Sequence, residues 1–372
     1  MGLRIGSSIE LDVPVVLAPM AGVTNVVYRG LCRRYGDGLF VSEMTSARGL
    51  IERDAKSFSF VRWPANETRR SVQLYGVDPD AVAGGVRIVV DELGADHVDL
   101  NFGCPVPKVT RKGGGAAVPA HPVLFGRIVA AAVAAAGEVP VTVKMRLGID
   151  DGLITAFDAA RAAEDAGVAA ITLHARTAEQ HYSGAARWEA IAALKAAVTT
   201  VPVLGNGDIW AAEDAVRMMR ETGCDGVVIG RGCLGRPWFF AELRAALLGQ
   251  PPPSAPSIDE VCAVVLEHAR ALVEADGERM AMLAMRKHVG WYFHDASLGG
   301  DLRRRLVSAS TLDALASLLD EARAVGRLAD GPPRPRGPSA GPRRVVLPEG
   351  WLDHALDPTP PAAADQVMAI SG

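Results

Sequence analysis

Reactive and polar side chains recur where short apolar runs of this chain end. Glu43 follows one run, Gln73 lies in the next, and Asn101 with Cys104, Lys144, His174 with Arg176, Asn206 with Asp208, and Arg231 follow in order. Any one of them alone reads as a satisfied core group or an ion-pair partner; their recurrence at one end of successive runs points to a shared mouth. A lysine there can clamp phosphate, form a Schiff base, or stabilise the negative charge that reduction places on a flavin ring, with Gln73 beside it. Gly205, Gly207, Gly230 and Gly232 allow close backbone approach and free amides, which bind phosphate. Gly230–Gly235 also spells G-x-G-x-x-G, but it lies neither at the first strand of a βαβ unit nor ahead of a strand ending in an acidic residue, so a dinucleotide fold is disfavoured.

Those residues need a frame, and the apolar runs supply it. Eight β-branched runs (13–20, 38–44, 69–76, 97–103, 139–146, 169–176, 201–207 and 226–232) alternate with Ala-rich segments of helical period. Asp78 followed by Pro79 marks a helix start, and Gly36, Gly94, Gly167 and Gly223 mark helix ends. The expectation is a (β/α)8 TIM barrel over residues 1–248, with catalytic groups where the strands exit. Pro251–Pro253 end its last helix, and Ser257 with Glu260 forms a capping box opening a small C-terminal helical domain over 257–328, read as three helices. Residues 331–372 form a Pro/Arg-rich tail expected to be largely unstructured, the stretch 345–356 being the one candidate for order.

Composition removes several alternatives. Hydrophobic residues at 49% and charged residues at 22% exclude wholesale disorder in a chain of 372 residues. No run approaches the ~20 apolar residues of a membrane span, and the start lacks a signal-peptide layout, so a cytoplasmic protein is expected. A monomer is expected as a separate matter. Five widely spaced cysteines without a C-x-x-C pair or a His cluster argue against disulfide and metal frameworks; Cys32, Cys224 and Cys262 read as small buried hydrophobes. A formal net charge of -4 means that any nucleic-acid contact must use local patches, and with six lysines among 39 basic residues the cations are mostly arginines.

The segments LAPMAGVTN (17–25), VSEM (41–44), QLYG (73–76), DLNFGCPVPKVTRKGGGAA (99–117), VKMRLG (143–148), HARTAEQHYSG (174–184), NGDI (206–209), IGRGCLGRPW (229–238) and MRKHVGWYF (285–293) closely resemble the tRNA-dihydrouridine synthases, in order and through both domains. The tail beyond about residue 330 departs from that resemblance. The resemblance implies an FMN enzyme that reduces D-loop uridines of tRNA to 5,6-dihydrouridine with NADPH as reductant. It assigns Pro19, Met20 and Ala21 to the flavin lining, Gln73, Lys144 and His174 to its ring, and Asn206, Gly207, Asp208, Gly230 and Arg231 to its phosphate. Cys104 matches the family's proton donor, a role that suits a thiol, which is mostly protonated at neutral pH with an ordinary pKa of about 8.5.

Reduction of a stacked base requires flipping it out and gripping the RNA around it. Asn101 and Arg176 are candidates for the uracil edge. Lys108, Arg111, Lys112, Arg286, Lys287 and Arg303–Arg305 are candidates for the backbone. Two other classes fit less well: a flavin barrel acting on a small pyrimidine, in the manner of dihydroorotate dehydrogenases, and a tRNA-binding protein without chemistry.

Overall fold

The computed structural model describes residues 2–329, 331, 334–337 and 341–361. Eight parallel strands, β1 (Val15–Leu17), β2 (Leu39–Ser46), β3 (Ser71–Tyr75), β4 (His97–Phe102), β5 (Val141–Arg146), β6 (Ala170–His174), β7 (Val203–Asn206) and β8 (Gly226–Ile229), close into a barrel in sequence order, β8 pairing with β1. Seven of the strands lie within their apolar runs, and β2 runs two residues past the end of its own at 44. The strands are buried nearly throughout because both faces are covered, by the barrel interior and by the outer helices, and their polar side chains point into the barrel. Helices such as Val26–Tyr35, Pro79–Arg87, Pro122–Ala136 and Ala212–Thr222 form the outer ring, with Asp78 accepting from Asp80 N at 3.0 Å as the N-cap of the second. Gly223 closes its helix in the left-handed conformation, whereas Gly36 is extended.

Two features escaped the period-based reading. A hairpin of Leu3–Ile5 and Ile9–Leu11 packs its four apolar side chains with Val16, Leu39, Val41, Ala170, Leu204 and Val228, sealing the end of the barrel away from the strand exits. Three-residue strands are too short to show alternation. A second short hairpin, Gly148–Asp150 with Leu153–Ile154, follows β5.

The helical domain holds four helices among the described residues, not the three expected: Ile258–Asp276, Glu278–Tyr292, Gly300–Ser308 and Leu312–Val325. Gly277 and Gly299, with φ of 79° and 71°, break what reads as continuous period, and Thr311 caps the last helix. Ser257 and Glu260 form the anticipated capping box. The domain has its own core, from Val261 to Ala322, and sits tightly on the barrel. Tyr28 of the barrel packs against both His268 and His288, which touch each other, and a Cβ on Gly235 would fall within 2.5 Å of the Trp291 and Tyr292 backbone.

The tail is more ordered around its middle than its composition suggests. Arg334 and Arg336 both bind Asp295, and Arg336 is buried; the linker-like reading fails there because an acidic partner waits on the helical domain. Arg343 N donates to Glu179 O at 2.8 Å on the loop after β6, and Trp351 is buried against the barrel. Residues 341–361 nonetheless form no helix or strand, and 362–372 lie outside the described residues.

Candidate active site

The strand exits converge on a cleft of about 390 Å³ between the barrel mouth and the helical domain. Pro19, Met20, Ala21, Gln73, Asn101, Cys104, Lys144, His174, Arg231 and Lys287 line it. A narrower corner adjoins it at the ends of β7 and β8, lined by Asn206, Gly207, Asp208, Gly230 and Arg231 together with Tyr182 and Trp210. Every residue read from the sequence as lining a flavin thus meets its neighbours at one mouth.

Inward-facing positions alternate along each strand, so β4 presents Asp99 and Asn101 two residues apart, and β5 presents Lys144 and Arg146. These pack into one network. Gln73 Nε2 donates to Asp99 Oδ2 at 2.6 Å, Thr142 Oγ1 donates to Asp99 Oδ1 at 2.6 Å, and Asn101 Nδ2 donates to Gln73 Oε1 at 2.8 Å. Beneath them His97 bridges Ser71 and Thr142. With Thr142 donating to Asp99, His97 donates from Nε2 and accepts from Ser71, which is the neutral tautomer; burial pushes its pKa down to about 3. Burial raises Asp99 to about 6 despite the hydrogen bonds from Thr142 and Gln73. Lys144 is lowered to about 8, by burial first and then by the neighbouring Arg146, with Asp99 opposing. Burial and the cations Arg146 and Lys144 hold His174 far below its ordinary value, so it is a neutral imidazole.

Cys104 is the one partly exposed cysteine; Cys32, Cys224, Cys233 and Cys262 are buried. Burial in its loop outweighs the amide of Val106 and the cations Arg146 and Lys144, so its thiol lies above the usual range and keeps its proton at neutral pH. Asn101 builds the turn that carries it: Oδ1 accepts from Gly103 N at 3.1 Å and Cys104 N at 2.9 Å. Its amide donates to Gln73 Oε1 at 2.8 Å and to Met44 Sδ at 3.3 Å, so Asn101 is engaged in positioning the loop and the network beside it.

Arg176 departs from expectation. It is buried, donates to Ser183 O and Gly184 O, and forms an ion pair with Asp208 at 2.7 Å, without reaching the cleft. Asp208 in turn accepts from Ala186 N at 2.7 Å. Asp208 Oδ1 also stands 3.8 Å from Arg231, so this one carboxylate pairs with two guanidiniums at the corner. Of the four glycines, three are required by packing. A Cβ on Gly205 would meet Met218 at 2.5 Å, on Gly207 would meet Ala186 at 2.7 Å, and on Gly232 would meet Ile209 O at 2.2 Å. A Cβ on Gly230 would meet nothing within 4 Å; that residue faces open space. Beside it the Arg231 guanidinium is flanked by Tyr182 at 4.2 Å and Trp210 at 5.0 Å. Asn206 turns its Nδ2 to Val228 O at 2.7 Å and lines the corner with the rest of its side chain.

The residues missed from sequence are Arg146, Asp99, Tyr182, Trp210 and Trp291. Arg146 is nearly buried and holds Gly103 O at 2.9 Å and His181 O at 2.8 Å, tying the Cys104 loop to the loop after β6. The two-residue spacing from Lys144 to Arg146 and from Asn101 to Asp99 was the available signal. Among the candidate backbone contacts, Lys108, Arg111, Arg286 and Lys287 are exposed and Lys112 is half-exposed. Lys287 faces Glu43, whose Oε1 accepts from Gly22 N. Arg303 is spent on Phe293 O and Ala296 O, and Arg304 and Arg305 pair with Asp301 and Glu321, so that triplet is no free patch. No metal-holding cluster and no membrane-crossing helix occur among the described residues.

A model of the dihydrouridine synthase (Dus) family matches residues 16–325. A probable tRNA-dihydrouridine synthase of Mycobacterium tuberculosis is 52% identical over 98% of this chain and 95% of its own length. One from Mycobacterium leprae is 49% identical over 96% of this chain and its full length, and one from Rhodobacter capsulatus is 41% identical over 84% of this chain and 97% of its own. With the barrel, the cleft and the Cys104 loop in agreement, the chain belongs to the dihydrouridine synthase family of enzymes.

Proposed function

We propose that this enzyme binds FMN in the cleft, takes reducing equivalents from NADPH, and converts D-loop uridines of tRNA to 5,6-dihydrouridine. The observation that carries the reading is a proton-bearing thiol, Cys104, lining the same cleft as Lys144, with a cationic corner beside it. The residues fit the cofactor: Gly230 leaves room in front of its backbone, Arg231 is stacked in place, and Lys144 supplies a cation deep in the cleft. When bound, FMN supplies the hydride chemistry.

The chain's own residues do the rest. Arg231 and the Gly230 backbone bind the phosphate, while Pro19, Met20 and Ala21 shape the wall on which the ring rests. Lys144 stabilises negative charge at the ring, and Asp99, through Gln73, fixes which way that amide faces. The uracil double bond gains a hydride at carbon 6 and a proton at carbon 5. Cys104 gives the proton from Sγ and is restored from solvent. His174, held neutral, lines the cleft without adding charge. Lys287, Lys108, Arg111, Lys112 and Arg286 supply the cationic grip that a flipped-out base requires of its surroundings.

The test is direct. Purified protein supplied with FMN and NADPH should form dihydrouridine in unmodified tRNA, measured by nucleoside mass spectrometry, and should leave dihydroorotate untouched. Failure to take up FMN, or turnover of the free pyrimidine in place of tRNA, overturns the reading.

A further inference from the structure

Trp351 lies beyond the last residue matched by the family model, yet it is among the most enclosed side chains of the tail. Its ring stacks on His121 with centroids 3.8 Å apart. Its Nε1 donates to Ala117 O at 3.0 Å, and its own carbonyl oxygen bonds His121 Nε2. A Cβ on Gly113 would stand 2.7 Å from the Trp351 ring, so the indole also presses on that residue, whose φ is 75°. These three partners span 113–121, the returning half of the loop that leaves β4.

The outgoing half of that loop carries Cys104, and the two halves touch where Trp351 bears on them. Ala116 N, next to the Ala117 that Trp351 holds, donates to Cys104 O at 3.1 Å. Gly115, with φ of 56°, passes so near that a Cβ there would lie 2.5 Å from Cys104 O and 3.1 Å from Cys104 Cβ. The tail around Trp351 is tied down on either side, by Arg343 N to Glu179 O at 2.8 Å and by Arg127 Nη1 to Pro358 O at 3.2 Å. A contiguous run of contacts thus leads from a residue near the chain's C-terminal end to the backbone of the thiol-bearing residue.

We infer that Trp351 is a positioning residue, which braces the β4 loop from outside so that Cys104 is held at its place in the cleft. The inference rests on the proposed reading for its catalytic consequence, and on packing alone for its structural one. A glycine-rich loop has many conformations to lose, and a buried indole contacting three points of it restricts them. Misplacing a reacting group by a fraction of its contact distance costs rate more than it costs affinity.

The experiment compares full-length wild type with Trp351→Ala and Trp351→Phe. Iodoacetamide alkylation is followed cysteine by cysteine by peptide mass spectrometry, in the absence of tRNA. Trp351→Ala should raise the rate at Cys104 by about fivefold or more while the four buried cysteines stay protected, and Trp351→Phe, which keeps an aromatic ring against His121 but loses the Nε1 bond and the indole edge that reaches Gly113, should fall between the two. In turnover, Trp351→Ala should lower kcat for tRNA reduction about tenfold with KM within about twofold, leaving flavin bleaching by NADPH unchanged. Unchanged alkylation at Cys104, acceleration at all five cysteines alike, or a raised KM at constant kcat each overturns the brace. If Trp351→Ala does not fold, equal Cys104 reactivity and kcat in the wild type and a chain ending at residue 340 overturn it as well. A wild-type protein inert toward tRNA refutes the proposed function and not the brace, because the alkylation comparison still reads the loop.

Discussion

The two sides of the mouth are held in different ways. The corner after β7 and β8 is fixed from within the barrel: Asp208 clamps Arg176, Tyr182 and Trp210 flank Arg231, and three of its glycines are dictated by neighbours, the side chains of Met218 and Ala186 and the carbonyl of Ile209. The loop after β4 is held from two sides. Asn101 ties its first turn and Arg146 its Gly103 carbonyl, and its returning half buries Ala117 and Val118 in the barrel core while Trp351 bears on it from outside. The contrast separates two tasks. On the reading proposed above, the corner that would hold an anion gains its rigidity from neighbouring barrel loops, whereas the loop that carries Cys104 owes part of its hold to a segment far along the chain.

The largest effect expected on either side is at the thiol. Cys104→Ala should lower the rate of uridine reduction by about 10³, within the range for loss of a general acid, with tRNA binding retained in a gel-shift assay. Equal loss of binding would merge the two sides into one. On the corner, Asp208→Asn leaves the buried Arg176 without its counter-charge and should cost about 3 kcal/mol of stability, measured by urea unfolding, with FMN affinity falling through displacement of the β6 loop. A stability loss without any loss of FMN affinity would show that the corner does not depend on this clamp.

Acid tests the interior beneath both sides. His97 and His268 are buried neutral with pKa values lowered to about 3, and His174 and His288 are lowered in the same direction. Protons bind the unfolded imidazoles first, so this contribution to stability is whole above pH 6.5 and is lost as pH falls toward the folded values. Each such imidazole should remove about 2 kcal/mol between pH 7 and pH 5. Asp99, raised to about 6, opposes the trend, since its protonated form is the one favoured by folding. A melting temperature flat from pH 7 to pH 5 would contradict the assignment of neutral histidines. In the activity, loss of the Lys144 cation should lower kcat as pH rises through about 8, ahead of Cys104 ionisation.

The smallest effects separate paired from unpaired cations at the rim. Arg304→Ala removes an exposed residue already paired with Asp301 and should change tRNA affinity by less than about twofold. Arg111→Ala, on the β4 loop, should weaken tRNA binding and reduce the slope of log affinity against log salt by about 1. Equal behaviour of the two would return the Arg303–Arg305 triplet to the RNA surface.

Much of this was readable from residues. The β-branched runs fixed all eight strands, and the cleft-lining groups announced themselves because a strand exit is an unusual place for Lys144 or Gln73. What the sequence concealed were the partners. Asn101, Arg176 and Asp208 carry the right chemistry for a ligand, and each also bonds within the protein, to Cys104 N, Ser183 O and Ala186 N in turn. Trp351 sits in 345–356, the one stretch of the tail read as a candidate for order, but its partner His121 lies 230 residues earlier, beyond any local pattern. The N-terminal hairpin was hidden by its brevity.

The near-contact of Gly235 with the backbone at Trp291 leaves no room for even a methyl group between the barrel and the helix that carries Lys287. Any side chain larger than hydrogen at that point would have to push the helix outward, so Gly235 sets how near the Lys287 helix can lie to the rim of the cleft.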